Sequence, residues 1–322
     1  MMNARYVISN MLERTGANAA ALARRRDSLT VLCYHRVIGA NDPARSRTHP
    51  AMITSKQVFE RQMDIITREF RPVTVDDAIA WLEGRAEIAP RAVLVTFDDG
   101  WADTYTNAFP VMKDLGMPGV VFLATGLVGT NDRQWADAAY EYIAARAGLD
   151  AASREVERLK SVPSSERSES LSRFRPSALS RFGNSPNLTW PQVEKMASHG
   201  FEFGSHTRTH LVLPNEPEED IIKELRLSAD DIAARLGRRP SAFAYPDGQY
   251  DKRTAELVQD AGYTVAFTTD EGLVTRGSAR FASPRLCVHD GVSTAPNGAF
   301  SRAMFLTYLA GTIPRRYRRR PR

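Results

Sequence analysis

Short apolar runs recur along the chain, and between them the apolar positions spread out to helical spacing. The runs are Thr30 to Tyr34, Ala92 to Phe97, Gly119 to Ala124, Phe201 to Gly204, Ser241 to Tyr245 and Tyr263 to Phe267. Each is too short for a helix and rich in the side chains that suit a strand buried on both faces. In the gaps, Lys56 to Phe70 places Val58, Met63, Ile65 and Ile66 near helical period behind Thr54 and Ser55 as caps. Thr74 and Asp77 form the pattern of a capping box ahead of another helix, which reaches Gly84. Strands alternating with helices predict parallel βαβ units and an α/β fold.

The rhythm breaks between about residues 129 and 187. One helical pattern, Gln134 to Gly148, is followed by a Ser-, Arg- and Glu-rich run from Arg154 to Phe182, which reads as an insertion. A polar helical lid or partner-binding excursion is one reading, and for Val162 to Ser170 a solvated linker is preferred. The segments before residue 29 and after residue 292 lie outside the alternation as an N-terminal helical, basic extension and a C-terminal segment.

The chain has 322 residues, 43% of them hydrophobic and 25% charged, enough for one large α/β domain with a substantial core. The two cysteines, Cys33 and Cys287, each sit in a strand-like run, too far apart in sequence for a CxxC metal site, and fit a reducing compartment. The net charge of +5 is concentrated at the end, where Arg315 to Arg322 holds six arginines in eight residues. Such a tail is either a solvated end or a peripheral contact for anionic lipid. Basic and aromatic residues do not interleave, so nucleic acid is not an expected partner. No continuous apolar stretch reaches the length of a signal-peptide core or a spanning helix, so the expectation is a cytoplasmic protein, peripheral at most to the inner membrane face.

Chemistry concentrates at two places. Val93 to Gly100 is an apolar strand ending in Asp98, Asp99 and a glycine. At the C-terminal edge of a parallel sheet two adjacent carboxylates diverge, so one binds a cation while the other faces a water beside it; an ordinary strand-to-helix turn is the alternative. Gly204 to His210 places His206 and His210 four residues apart just after a strand, a spacing at which two imidazoles converge on one ion, against two surface histidines by chance. One aspartate and two histidines leave coordination positions open, which describes a catalytic metal site and not a structural one.

TFDDG (Thr96 to Gly100), SHTRTH (Ser205 to His210) and YPDG (Tyr245 to Gly248), in that order, resemble the motifs of the polysaccharide deacetylases, the NodB-homology or carbohydrate esterase family 4 group. The resemblance extends over about Leu32 to His289, including Phe122 to Gly126 and Thr189 to Thr207, and is similar in style to the biofilm-polysaccharide subgroup. It implies a distorted (β/α) barrel of about seven parallel strands with a site at the strands' C-terminal ends. It further implies that Asp98 is the general base, that Asp99, His206 and His210 hold a divalent metal, zinc most commonly with cobalt or nickel as alternatives, and that Tyr245 and Asp247 border the substrate, the Asp247 backbone N–H binding the oxyanion. The substrate it implies is an acetylamino-sugar polymer or its lipid-linked oligosaccharide precursor.

Two features depart from or divide the pattern. Ala244 stands where the family's arginine normally orients the base, and Arg285 is a candidate substitute that no sequence argument places. For the acid that protonates the departing amine, His35 in the Val31 to Val37 run and His289 after Cys287 compete; the YHRV context and the YPDG variant favour His35. An amidase of the same fold acting on a small non-carbohydrate amide, and a catalytically silent carbohydrate-binding protein, are the other readings.

Overall fold

The computed structural model describes residues 4–172 and 186–313. Seven strands, all parallel, close into a barrel: β1 (Leu29–Tyr34), β2 (Ala92–Phe97), β3 (Gly119–Leu123), β4 (Phe201–Ser205), β5 (Ala242–Ala244), β6 (Val265–Glu271) and β7 (Ser283–Cys287). Around the wall the order is β1, β7, β6, β5, β4, β3, β2. Closure comes from β1 lying along β2, with register running from Leu29 opposite Ala92 to Tyr34 opposite Phe97.

Every residue of β1 and β2 is buried because each strand has two apolar faces to cover. Leu29, Val31, Leu94, Val120, Phe122, Ala242 and Phe267 point inward and fill the barrel with other small and branched side chains. Leu32, Tyr34, Val93, Val95 and Phe97 point outward, against helices. The chain begins with α1 (Ala4–Arg14) and α2 (Ala17–Ala23), continues through α3 (Lys56–Glu69) and α4 (Val75–Leu82), and reaches α5 (Phe109–Asp114) after β2. Helix α3 supplies Phe59, Met63 and Ile66 to the outer layer, and α5 supplies Phe109 and Met112. Helix α4 behaves differently. Its Val75, Ala78, Ile79 and Trp81 belong to the interior cluster, and the box between Thr74 and Asp77 forms as the sequence predicts.

The described part of the insertion folds as α6 (Trp135–Ala147), α7 (Leu149–Leu159) and α8 (Ser164–Ser172), with Ala139, Tyr140, Ala152, Val156 and Leu159 as its own small core, and residues 173–185 of the polar run lie outside the described residues. Most of the solvated linker expected for Val162 to Ser170, from Ser164 on, is therefore a helix. The reason is Arg167, a buried anchor within a polar run: its guanidinium donates to the Leu159 and Val162 carbonyls, pairs with Glu216 and stacks 4.5 Å from the Trp135 ring. Behind the insertion come α9 (Trp190–Ala197), α10 (Glu218–Leu236), α11 (Lys252–Asp260), the single turn α12 (Asp290–Ser293) and α13 (Arg302–Ala310).

The segments before and after the barrel meet each other. Asn18 Nδ2 donates to Thr307 Oγ1 at 3.0 Å, and the Arg25 guanidinium donates to the carbonyls of Leu309 and Ala310, both at 2.6 Å. Leu22, Phe305 and Leu309 join the outer core layer, so both segments pack on the barrel wall. The Arg315 to Arg322 tail lies outside the described residues, and no described helix is long and apolar enough to cross a membrane.

Gly204 is required by the interior. A Cβ there would lie 2.5 Å from the Phe122 ring and 2.8 Å from the Ala242 carbonyl oxygen. Gly204→Ala should lower stability by about 1–3 kcal/mol through overpacking, seen as a lower urea midpoint at unchanged m. An unchanged midpoint would mean that Phe122 has room to move, and that the interior is looser than described.

Candidate metal centre and active site

The site lies where β2 and β4 end at the barrel's C-terminal mouth. Beyond Phe97 the backbone turns sharply, with Asp99 at φ 77° and Gly100 at φ 77°. A left-handed aspartate is tolerated where its short side chain is held locally. Here Trp101 Nε1 donates to Asp99 Oδ2 at 2.9 Å, which leaves Oδ1 facing the histidines. After β4 the chain repeats the device, with Thr207 at φ 62° and His210 at φ 59°. Glu224 on α10 pins this loop by accepting from the N–H groups of Arg208 and Thr209 and from the Thr209 hydroxyl.

The result is a convergent trio. His206 Nε2 and His210 Nε2 each lie 3.4 Å from Asp99 Oδ1, and all three side chains are buried. His206 Nδ1 lies 2.7 Å from the Ala244 carbonyl. A carbonyl only accepts, so Nδ1 carries a proton, and Nε2 is the nitrogen turned to the carboxylate. Burial alone would lower the basicity of His206, but its contact with Asp99 raises it, and Asp99 is in turn held well below the usual carboxylate range. Two imidazole nitrogens 3.4 Å from one carboxylate oxygen make a place where a shared positive charge is favourable. The donor set of two nitrogens and one oxygen, within 4.8 Å of one another, fits a divalent zinc-like cation with positions to spare.

Asp98 points elsewhere. Its Oδ1 and Oδ2 receive Arg285 Nη1 and Nη2 at 2.8 Å and 2.6 Å, a bidentate pair in which the guanidinium is fully buried. Arg285 also donates to the Thr268 carbonyl and to Thr96 Oγ1, and its guanidinium lies 5.7 Å from the Phe122 ring centre. Burial would raise the Asp98 pKa, yet Arg285 brings it down to about 2. Ala244, at the position where an arginine is expected, gives its carbonyl to His206.

His35 Nε2 lies 4.0 Å from Asp98 Oδ2, and burial pushes its pKa below the ordinary value of 6.5 against the pull of Asp99 and Asp98. His289 is not in this group. It caps α12, its Nδ1 accepting from the Gly291 N–H. The Tyr245 ring packs in the core with its hydroxyl on the Phe281 carbonyl and its N–H on the Phe267 carbonyl, so neither donor reaches the trio. Asp247, left-handed at φ 56°, pairs with Lys160 Nζ at 2.7 Å. That contact brings the insertion to the site's rim.

Other residues here carry no motif. Cys33 donates to Asp98 Oδ2 at 3.4 Å, foreshadowed only by its sharing an inward strand face with His35. Arg36 stacks 4.3 Å over Trp101 and pairs with buried Asp103. Asp137 on α6 is buried, which raises its pKa to about 6, and it feels both Asp99 and His210. Nothing local in the sequence marks Glu224, Lys160 or Asp137, because each arrives from a distant helix.

Residues 86–266 match the family described as polysaccharide deacetylase. YxkH of Bacillus subtilis (strain 168), a protein named as a polysaccharide deacetylase, is 24% identical over 277 residues, covering 86% of this chain and 77% of its own. The poly-β-1,6-N-acetyl-D-glucosamine N-deacetylase of Staphylococcus aureus (strain N315) is 21% identical over 285 residues, 84% of this chain and 81% of its own. The structure of the Streptococcus pyogenes deacetylase PplD in complex with acetate superposes with a TM-score of 0.61 at 19% identity, covering 84% of this chain and 96% of that one, which shows a shared fold.

Asp98→Asn should leave Arg285 buried without a counter-charge at a cost of about 3–5 kcal/mol, while metal uptake by Asp99, His206 and His210 persists. Because the folded pKa of about 2 lies below the ordinary 3.8, the stability that Asp98 contributes is complete above that value and drains away as pH falls through the lower one. Chemical denaturation of both proteins from pH 6 to pH 2, with metal content by mass spectrometry, tests this. Equal stabilities at pH 6, or metal lost from the variant, would contradict the separation of the two roles.

Proposed function

The chain belongs to the polysaccharide deacetylase family, and we propose that it is a metal-dependent N-deacetylase of an acetylamino-sugar polymer or its lipid-linked precursor. The observation that carries the proposal is the pairing of two unlike carboxylates, Asp99 facing the Nε2 atoms of two imidazoles and Asp98 clamped by Arg285 beside them. A divalent cation held by Asp99, His206 and His210 would supply Lewis acidity to the acetyl carbonyl and favour ionisation of the attacking water.

Asp98 faces the attacking water as the base. With a pKa of about 2 it retains a proton poorly, so the proton must pass on. His35, 4.0 Å away and neutral near physiological pH, is the proposed recipient, and from it the proton reaches the departing amine. Arg285 fixes the carboxylate in one orientation throughout. The backbone N–H of Asp247, on its left-handed turn, is the proposed oxyanion donor, since both donors of Tyr245 are engaged in the core.

The test is acetate release from β-1,6-linked N-acetylglucosamine oligomers by the purified full chain, with chelator and then zinc or cobalt. Release abolished by chelator and restored by metal supports the proposal, and no release despite bound metal would sink it. His35→Gln should lower kcat by about 10²–10⁴-fold with metal retained. Because His35 enters turnover neutral, wild-type kcat should fall as pH drops below its lowered pKa; a rate falling as pH rises through 6.5 would instead require the protonated form at the start.

A further inference from the structure

Cys33 on β1 and Cys287 on β7 occupy directly opposed register positions at the mouth of the barrel. Adjacent strands run about 4.7–4.9 Å apart, within the roughly 4.4–6.8 Å of Cα separation that a disulfide spans. Cys33 is fully buried, and its thiol donates to Asp98 Oδ2, 3.4 Å away. Cys287 is partly exposed, so a small oxidant reaches it first. The Cys33 S–H and the Arg285 charge hold the Cys287 thiol below its ordinary pKa, which marks it as the nucleophile of the pair.

We propose that Cys33 and Cys287 form an oxidation site, at which a hydroperoxide drives a reversible cross-strand disulfide that withdraws the thiol donor from Asp98 and slows turnover. The Cys287 thiolate attacks the peroxide, breaking the O–O bond to give a sulfenic acid and, with one proton, water. The Cys33 thiol then attacks that sulfur, forming the S–S bond and releasing a second water. Two electrons pass from the sulfurs to the peroxide. Side chains on neighbouring parallel strands stand side by side and do not converge, so the disulfide is strained and readily reduced by a dithiol. The link to turnover rests on the reading of Asp98 as base; formation of the disulfide does not.

The experiment treats the metal-loaded full chain with hydrogen peroxide, counts thiols after denaturation and follows acetate release. Expected are loss of both thiols, a fall of about tenfold in kcat from losing one hydrogen bond to a charged group, and recovery of both with dithiothreitol. Cys287→Ser should keep basal turnover and lose the peroxide response. Two thiols still free after treatment, or an equal peroxide response in Cys287→Ser, would overturn the proposal, and a disulfide with undiminished kcat would overturn its link to Asp98. A disulfide in a protein that releases no acetate at all would count against the deacetylase reading alone.

Discussion

The buried ion pair of Asp98 and Arg285 sets the terms for the rest of the barrel mouth. A guanidinium with no exposed surface is costly to desolvate, and its attraction to one carboxylate offsets that cost only if its remaining donors are satisfied. They are, by the Thr268 carbonyl and Thr96 Oγ1. Its flat face rests over Phe122, and Phe122 has its place because Gly204 carries no side chain. An ionic requirement at the rim is thus met by packing deep in the barrel.

The carboxylate that faces the two histidines is arranged on the opposite plan. Asp98 is held by a full charge from the wall, whereas Asp99 is held by a neutral indole and by backbone strain. The left-handed residues Asp99, Thr207, His210 and Asp247 all belong to the loops around the site. Such conformations persist where neighbours over-determine them, which is the part played by Trp101 and Glu224. Two adjacent acids in one motif therefore sit in different charge environments, one beside a guanidinium and the other beside two imidazoles.

Alternation of apolar runs foretold the parallel strands, and their ends are where Asp98, Asp99, His206 and His210 stand. Local signals sufficed because each of these residues sits within a short stretch of its own strand. Arg285 could be named but not located, since only barrel closure brings β7 beside β1 and β2. Glu224, Lys160 and Asp137 were invisible for the same reason, as each acts across a tertiary contact with no fixed spacing. The run around Arg167 read as linker because polarity was taken as a sign of exposure, whereas a guanidinium with carbonyl, carboxylate and indole partners is comfortable when buried.

The segment by which the family is recognised, residues 86–266, contains every proposed metal ligand but neither β1 nor β7. The proposed base lies inside that segment as well, while three of the side chains around it come from outside. Cys33, His35 and Arg285, which surround Asp98, come from the two closing strands and the residue that follows β1, so the acidity of that carboxylate is set by elements that carry none of Asp99, His206 and His210. Changes confined to those two strands would therefore alter the protonation of Asp98 while leaving the side chains of Asp99, His206 and His210 as they are.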